Sequence, residues 1–465
     1  MSISKIYDGK ILFYCFIVQT ANYIRYIVPG KESIMKAAFL TLGCKVNYYE
    51  TEKMIEQFRQ MGFTIVDFRE KADVYIVNTC TVTNIADRKS RQMLHRAKKM
   101  NPEGYVAAVG CYVESSGDAW KKDPAIDAAF SNQEKTSVVY QVMQDLGLVP
   151  RSSEEGKRFV SQERTRAYLK IQDGCNQFCS YCMIPYVRGR GRLVSKPVNE
   201  VVSEVRKLAS QGYKEVVLTG IHLSSYGVDG ADAREFVRHQ GEPLLSVIRE
   251  TAAVEGIRRV RLGSLEPRII SEKFLTELVQ VPEVCPHFHL SLQSGCDNVL
   301  KRMNRHYTAV EYKETVSLLR KYFVLPAVTT DVIVGFPGET EDEFGQTRAF
   351  LQEVGLADIH VFKYSPRQGT PAAARGDQIS PGEKNRRSDI LMRDTEEYRR
   401  NYGENFLGRK EKVLFEETTV EDGISYLSGH NERYVKIGVP LGRARENGYR
   451  ENGIYDIEVE KILVK

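Results

Sequence analysis

From residue 36 to about residue 374, short apolar runs alternate with amphipathic stretches, and this alternation leaves few folds open. Runs at 37–42, 73–78, 105–109 and 128–130 read as strands, with helical patterns at 50–61, 87–100 and 136–146 between and after them. Strands alternating with helices predict a parallel, doubly wound sheet. A second series has strands at 168–171, 215–219, 258–262, 287–290, 327–334 and 358–362. Helices at 199–211, 244–251, 271–279, 310–321 and 341–353 lie between them. Six such units predict a partial (β/α)6 barrel with its working residues in the loops after the strands. Beyond a charged helix at 380–402, short runs at 412–417, 424–430, 433–437 and 453–462 predict a small antiparallel β-barrel. The expected class is α/β, with several domains: an N-terminal one at 35–149, a polar linker at 150–162, the partial barrel at 163–402 and the small barrel at 403–465.

Residues 1–34 differ from the rest. Residues 11–18 (ILFYCFIV) are apolar, but Gln19, Asn22 and Arg25 end the apolar run, and no convincing cleavage site for a signal peptide is seen. Met35 directly precedes a clean strand pattern. Residues 1–34 are expected to be a poorly ordered extension, or the product of an upstream start codon. No run of about 20 apolar residues exists to span a bilayer.

Nine cysteines, an odd number, argue against a disulfide framework and for a reducing compartment, the cytoplasm. Cys175, Cys179 and Cys182 are spaced C-x3-C-x2-C just after the first strand of the second series. Three thiolates this close suit three irons of a [4Fe–4S] cube. The fourth iron stays open to a chelating small molecule, for which the amino and carboxylate groups of S-adenosylmethionine are the natural candidate. Tyr181 is placed to pack on its adenine. A zinc knuckle wants four ligands in tight pairs, and no further cysteine or histidine is near. Cys44, Cys80 and Cys111 each fall just past a strand of the first series, where a parallel sheet forms its ligand crevice. They either converge there as ligands or are three small buried residues. Cys285 and Cys296 read as structural, and Cys15 lies in the extension and has no role.

These residues resemble a known family. The triplet with Tyr181 is similar to the signature of radical S-adenosylmethionine enzymes. The segments GCKVN (43–47), NTCTVTN (78–84) and GCY (110–112), with GCNQFCSYCMIPYVRGR, HLSLQSG and TDVIVGFPGET, resemble the methylthiotransferase branch. The likeness runs from about Lys36 to the C-terminus. The GCKVN and CTVTN forms resemble the enzymes acting on threonylcarbamoyladenosine in tRNA. Other members of the branch act on isopentenyladenosine or on a ribosomal protein. A non-catalytic iron–sulfur RNA-binding protein is the alternative from another class. The resemblance implies two [4Fe–4S] clusters, one on Cys175, Cys179 and Cys182, the other on Cys44, Cys80 and Cys111. It implies two S-adenosylmethionine molecules: one methylates a sulfur at the second cluster, the other yields the radical that takes hydrogen from carbon 2 of the adenine. The implied partners are the anticodon loops of tRNAs reading codons that begin with A, and an electron donor such as flavodoxin or ferredoxin.

The same resemblance carries over a cofactor pocket of Gly220, Ser264, Glu266, Gln293 and Val334, with Val334 against the adenine. Arg188, Arg190 and Arg192, beside the cysteine loop, are candidate RNA contacts, since guanidinium suits phosphate. The chain carries 66 Lys and Arg against 61 Asp and Glu, so RNA affinity must come from such local patches. Residues 86–101 hold six basic residues against Asp87 alone, and 150–170 hold six against three. Residues 403–465 resemble a TRAM domain. They hold ten basic and twelve acidic residues, so shape rather than bulk charge would have to grip RNA there.

Overall fold

The computed structural model describes residues 35–148 and 165–463, apart from 231 and 233. The extension and the 150–162 linker lie outside the described residues. Strands β1 (Lys36–Thr41), β2 (Thr64–Val66), β3 (Val74–Thr79), β4 (Tyr105–Gly110) and β5 (Ala128–Phe130) form a parallel sheet in the order β2-β1-β3-β4-β5. Its helices are α1 (Lys45–Gln60), α2 (Asn84–Met100), α3 (Cys111–Ser116) and α4 (Val138–Asp145). In β3, Val74 and Ile76 enter one core with Met54 and Phe58, while Tyr75 and Val77 enter another with Leu94 and Ala97. Both faces of the strand are covered, which is why its sequence is a continuous apolar run. The three-residue edge strand β2 is too short to mark itself in the sequence. Helices α1 and α2 start earlier than their apolar spacing predicts. In α2 the first turn is polar and is set by Thr83, whose hydroxyl accepts the Ala86 N–H at 3.1 Å.

The second series builds two further sheets. Strands β6 (Arg166–Asp173), β7 (Val194–Ser195), β8 (Glu215–Gly220) and β9 (Arg259–Leu262) run in the order β7-β6-β8-β9. Strands β10 (His287–His289), β11 (Ala327–Val334) and β12 (Asp358–Lys363) form a parallel three-stranded sheet. Bridges Val260–Val284 and Leu265–Leu290 lead from β9 to β10. Apart from β7, a two-residue antiparallel edge missed in the sequence, spatial order follows chain order. Side chains alternate across each strand. Leu169, Ile171, Val216, Leu218, Val260, Leu262, Phe288, Leu290, Val332 and Val334 belong to one large apolar core shared with the helices. Their neighbours on the opposite face are polar: Lys170, Gln172, Glu215, Thr219, Arg259, Arg261, His287, His289, Thr329 and Asp331.

Strands β13 (Lys410–Glu421), β14 (Ile424–His430), β15 (Lys436–Pro440) and β16 (Ile454–Glu458) form an antiparallel sheet in the order β15-β14-β13-β16. The strand expected at 433–437 starts three residues later. Asn431 Oδ1 accepts both the Arg433 and Val435 N–H groups, and Tyr434 takes a left-handed φ of 67°, so this stretch is a turn. After β16 the chain returns to β15, through Gly438 N–H to Lys461 O and Leu463 N–H to Lys436 O.

This last sheet closes the N-terminal ends of β6, β8 and β9. Arg166 ion-pairs with Glu416 and Glu215, Arg259 donates to His430 O at 3.1 Å and Lys412 O at 2.5 Å, and Arg261 donates to Glu432 O at 2.9 Å. The Tyr434 ring lies 4.9 Å from both the Arg166 and the Arg261 guanidinium, a double cation–π contact.

Candidate active site

The two cysteine triplets lie at corresponding places in their sheets. Cys44 caps α1, Cys80 follows β3, and Cys111 opens α3 directly after β4. They converge. A Cβ on Gly43 would stand 3.0 Å from Cys80 Sγ, and Cys80 is within electrostatic reach of both Cys111 and Cys44. Ser90 of α2 fastens the loop, accepting from Cys80 N at 3.2 Å and donating to Cys80 O at 3.1 Å. Asn132 Nδ2 stands 3.6 Å from Cys111 Sγ.

The second triplet follows β6. Gly174 makes the turn into it at φ 79°, and a Cβ there would meet Arg192 O at 1.8 Å, so only glycine lets the loop pass. Cys179 Sγ accepts from Arg305 Nη1 at 3.3 Å. Burial pushes the Cys80 thiol up to about 11 and the Cys175 thiol up to about 12, and it raises Cys182 as well. A cationic iron centre is what turns such thiols into thiolates, so each donor set suits a soft metal cluster. All eight cysteines among the described residues are free.

A buried ionic network ties the triplets together. Glu50 of α1 receives Arg188 through both oxygens, at 2.9 Å each. Lys170 and Lys135 add contacts to Glu50 at 2.7 and 2.5 Å. Arg188 also donates to Asn47 Oδ1 at 2.7 Å and contacts Asp173 at 3.2 Å. Burial opposes ionisation of Glu50, but Arg188 and Lys135 outweigh it and hold the carboxyl well below its usual range. One helix thus carries Cys44 at its start and, two turns in, a carboxylate gripped by residues flanking Cys175 and Cys182. From the other side, Arg367 clamps the Cys80 loop, donating to Asn84 Oδ1 at 2.7 Å, Asp87 Oδ2 at 2.8 Å and Thr81 Oγ1 at 2.5 Å.

Arg188 is the first correction to the sequence reading. Expected at an RNA surface, it is 2% exposed, and both of its terminal nitrogens are engaged inside the network. Arg188→Met is therefore expected to destabilise the purified chain by about 3–5 kcal/mol in urea unfolding, the cost of breaking a buried ion pair. Arg192→Met, at an exposed position, should stay within about 0.5 kcal/mol of wild type.

Residues 169–351 match the radical SAM superfamily, and residues 36–131 match the uncharacterized protein family UPF0004. The chain is 38% identical over 412 residues to the threonylcarbamoyladenosine tRNA methylthiotransferase MtaB of Bacillus subtilis, spanning 86% of this chain and 89% of that one. The chain belongs to the radical SAM methylthiotransferase family. It is also 35% identical over 401 residues to the tRNA-2-methylthio-N(6)-dimethylallyladenosine synthase of Geobacter sulfurreducens, covering 81% and 85% of the two chains. A solved radical S-adenosylmethionine methyltransferase, TsrM from Kitasatospora setae, superposes with a TM-score of 0.50 at 14% identity, covering 73% of this chain and 75% of that one. That likeness is one of fold alone. A radical SAM enzyme uses a [4Fe–4S] cluster and S-adenosylmethionine.

The remaining expected site residues of this methylthiotransferase fall out unevenly. Tyr181 is half-buried, edge-on to Phe336 with centroids 6.3 Å apart. Glu266 is buried and pairs with Arg268 through Oε1 at 2.7 Å, while its Oε2 has no partner among the described residues. An orphaned carboxylate oxygen beside Cys175 fits a ligand hydroxyl or ammonium group. Ser264 is exposed nearby. Gln293 holds a left-handed φ of 75° while its backbone pairs with β11, a strained geometry of the kind found at ligand sites. Gly220 has a packing reason of its own: a Cβ there would stand 2.9 Å from Gln172. Val334 is the second correction. Its side chain lies in the core under the helices, and Ile333, on the other face, packs with Tyr181 and Phe336. Further down the polar face, Asp331 meets His289 and His360 at 3.3 Å each.

Arg190 and Arg192 are exposed, with no side-chain partner among the described residues. Beside them stand two aromatics the sequence reading passed over, Phe178 and Tyr186, each 44% exposed and packed edge to face at 5.9 Å. Arg88, Lys89, Arg91, Arg96 and Lys99 of α2 are exposed and form no ion pair among the described residues. The basic 150–170 segment contributes less than its count promises, since Arg166 and Lys170 are taken up in ion pairs.

No helix among the described residues is long and apolar enough to cross a membrane.

Proposed function

We propose that this enzyme places a methylthio group on carbon 2 of N6-threonylcarbamoyladenosine, just 3′ of the anticodon, in tRNAs reading codons that begin with A. The observation that carries the proposal is the pair of cysteine triplets joined through Glu50, Arg188 and Asp173. The match to the Bacillus subtilis enzyme supports the choice of base. In this reading Cys175, Cys179 and Cys182 hold one [4Fe–4S] cluster, and Cys44, Cys80 and Cys111 hold a second. Together these groups supply an electron for S-adenosylmethionine cleavage and a site for the transferred sulfur. The chain's own residues do the rest. Tyr181 and Ile333 pack on the adenine of the cofactor, the free Glu266 oxygen takes a hydrogen bond from it, and Gln293 and Ser264 border the same space. Phe178 and Tyr186 stack unpaired bases, and Arg190, Arg192 and the outer face of α2 hold phosphates.

The strands β6 and β8–β12 form the partial (β/α)6 barrel of 163–402, residues 35–149 form the domain of the second cluster, and 403–465 form a TRAM-like barrel. An electron donor such as flavodoxin or ferredoxin, and the cytoplasm as compartment, complete the proposal. Mass spectrometry of tRNA nucleosides from cells with and without the gene tests it. The expected result is loss of the 2-methylthio form of threonylcarbamoyladenosine and accumulation of its precursor. Loss of the isopentenyl derivative instead would keep the chemistry and overturn the substrate. No change in either would overturn the tRNA substrate and point to a protein target or to the non-catalytic reading.

A further inference from the structure

Between the triplets and the C-terminal sheet, the polar face of the strands meets a lysine that forms no ion pair among the described residues. Lys45 follows Cys44 directly and is exposed, with no hydrogen bond or ion pair among the described residues. It lies within electrostatic reach of Arg261, Arg166, Asp331 and His287, residues of β9, β6, β11 and β10. The other charged groups there have partners. Arg166 and Arg261 share Glu215, and Arg166 also reaches Glu416. Asp331 is held by the imidazoles of His289 and His360, whose rings stack at 5.5 Å. An anion entering this space therefore meets an ammonium with no hydrogen-bond partner among the described residues, while the Asp331 carboxylate is already engaged by two imidazoles.

We propose that Lys45 is a specificity residue, supplying the counter-charge to a carboxylate on the modified base, the threonyl carboxylate of N6-threonylcarbamoyladenosine. The inference rests on the reaction proposed above and adds to it the residue that selects the base. An isopentenyl group brings only hydrocarbon to the same place and would leave the ammonium shielded from water and unpaired, which costs affinity. RNA carries other anions, its phosphates, and the test separates them from the carboxylate.

Two anticodon stem-loop RNAs serve as probes, one carrying threonylcarbamoyladenosine and the other its methyl ester. They differ in one charge and share every phosphate. Equilibrium binding of each to the iron-reconstituted protein is measured. Wild type is expected to prefer the acid by about ten- to a hundredfold, the usual worth of a hydrogen bond to a charged group. Lys45→Met should bring that ratio close to one, and Lys45→Arg should restore most of it. Iron content and thermal unfolding at wild-type values certify each variant as folded. Equal binding of acid and ester by wild type overturns the proposal. So does a folded Lys45→Met that keeps the preference, or one that loses both RNAs equally, which assigns Lys45 to a phosphate. A wild-type enzyme that methylthiolates only isopentenyl RNA fails the reaction reading instead, and is told apart by the modified nucleoside itself.

Discussion

Cys179→Ala is expected to abolish release of 5′-deoxyadenosine from S-adenosylmethionine under anaerobic, reducing conditions. Loss of at least about a thousandfold is the scale expected when one member of a group acting as a unit is removed. Cys179 stands between Cys175 and Cys182 on a half-buried loop, and the one hydrogen bond to its sulfur among the described residues comes from Arg305. Removing one sulfur there leaves no cavity in the apolar core, so folding is preserved and the loss reports on chemistry. Chromatography of the nucleoside products checks it. Retained cleavage of the cofactor would sink the assignment of this triplet.

Cys80→Ala is expected to separate the two halves of the reaction. Cofactor cleavage depends on the triplet after β6, so 5′-deoxyadenosine should still be released. Formation of the methylthio nucleoside should fall below detection, again by at least about a thousandfold. The two products, measured by mass spectrometry in one reaction mixture, give the split directly. An enzyme that still methylthiolates its tRNA without Cys80 would show that Cys44, Cys80 and Cys111 do not act as a ligand set.

Much of this architecture can be read from residue patterns, because apolar spacing reports what a strand or helix must bury. Apart from the short edge strands β2 and β7, the strand positions in both series are found within a few residues, and the cysteine triplets stand out by spacing and by place at strand ends. The failures have specific causes. Glu50 lies on the same helical stripe as Val46, Met54 and Phe58, and a lone acid on an apolar stripe is a mark of a buried ion pair. Its partner Arg188 sits in a run of three arginines that look alike in one dimension. Only the tertiary fold takes one inward and leaves Arg190 and Arg192 outside. Val334 against Ile333 is a question of strand phase. A one-residue error moves a side chain to the opposite face, and the polar Asp331 two positions before Ile333 was the available clue. The late start of β15 is a turn made by one side chain, Asn431, which apolar spacing does not register.

The closure at the base of β6, β8 and β9 bears on how such enzymes can change in evolution. Arg259 and Arg261 donate to three carbonyl oxygens of the C-terminal module, at Lys412, His430 and Glu432, and the Tyr434 ring lies 4.9 Å from each of two guanidiniums. These oxygens belong to the main chain, so this part of the attachment depends on the module's shape, while Glu416 and the Tyr434 ring add side-chain contacts. A gene fusion or domain exchange at residue 403 would strip Arg166, Arg259 and Arg261 of Glu416 and three carbonyl oxygens and leave all three sharing Glu215 alone. The terminal module is therefore not a detachable handle for RNA. It is expected to be exchanged only together with the strands it closes, and substitutions on its surface are expected to be tolerated better than substitutions in the turn that carries Tyr434.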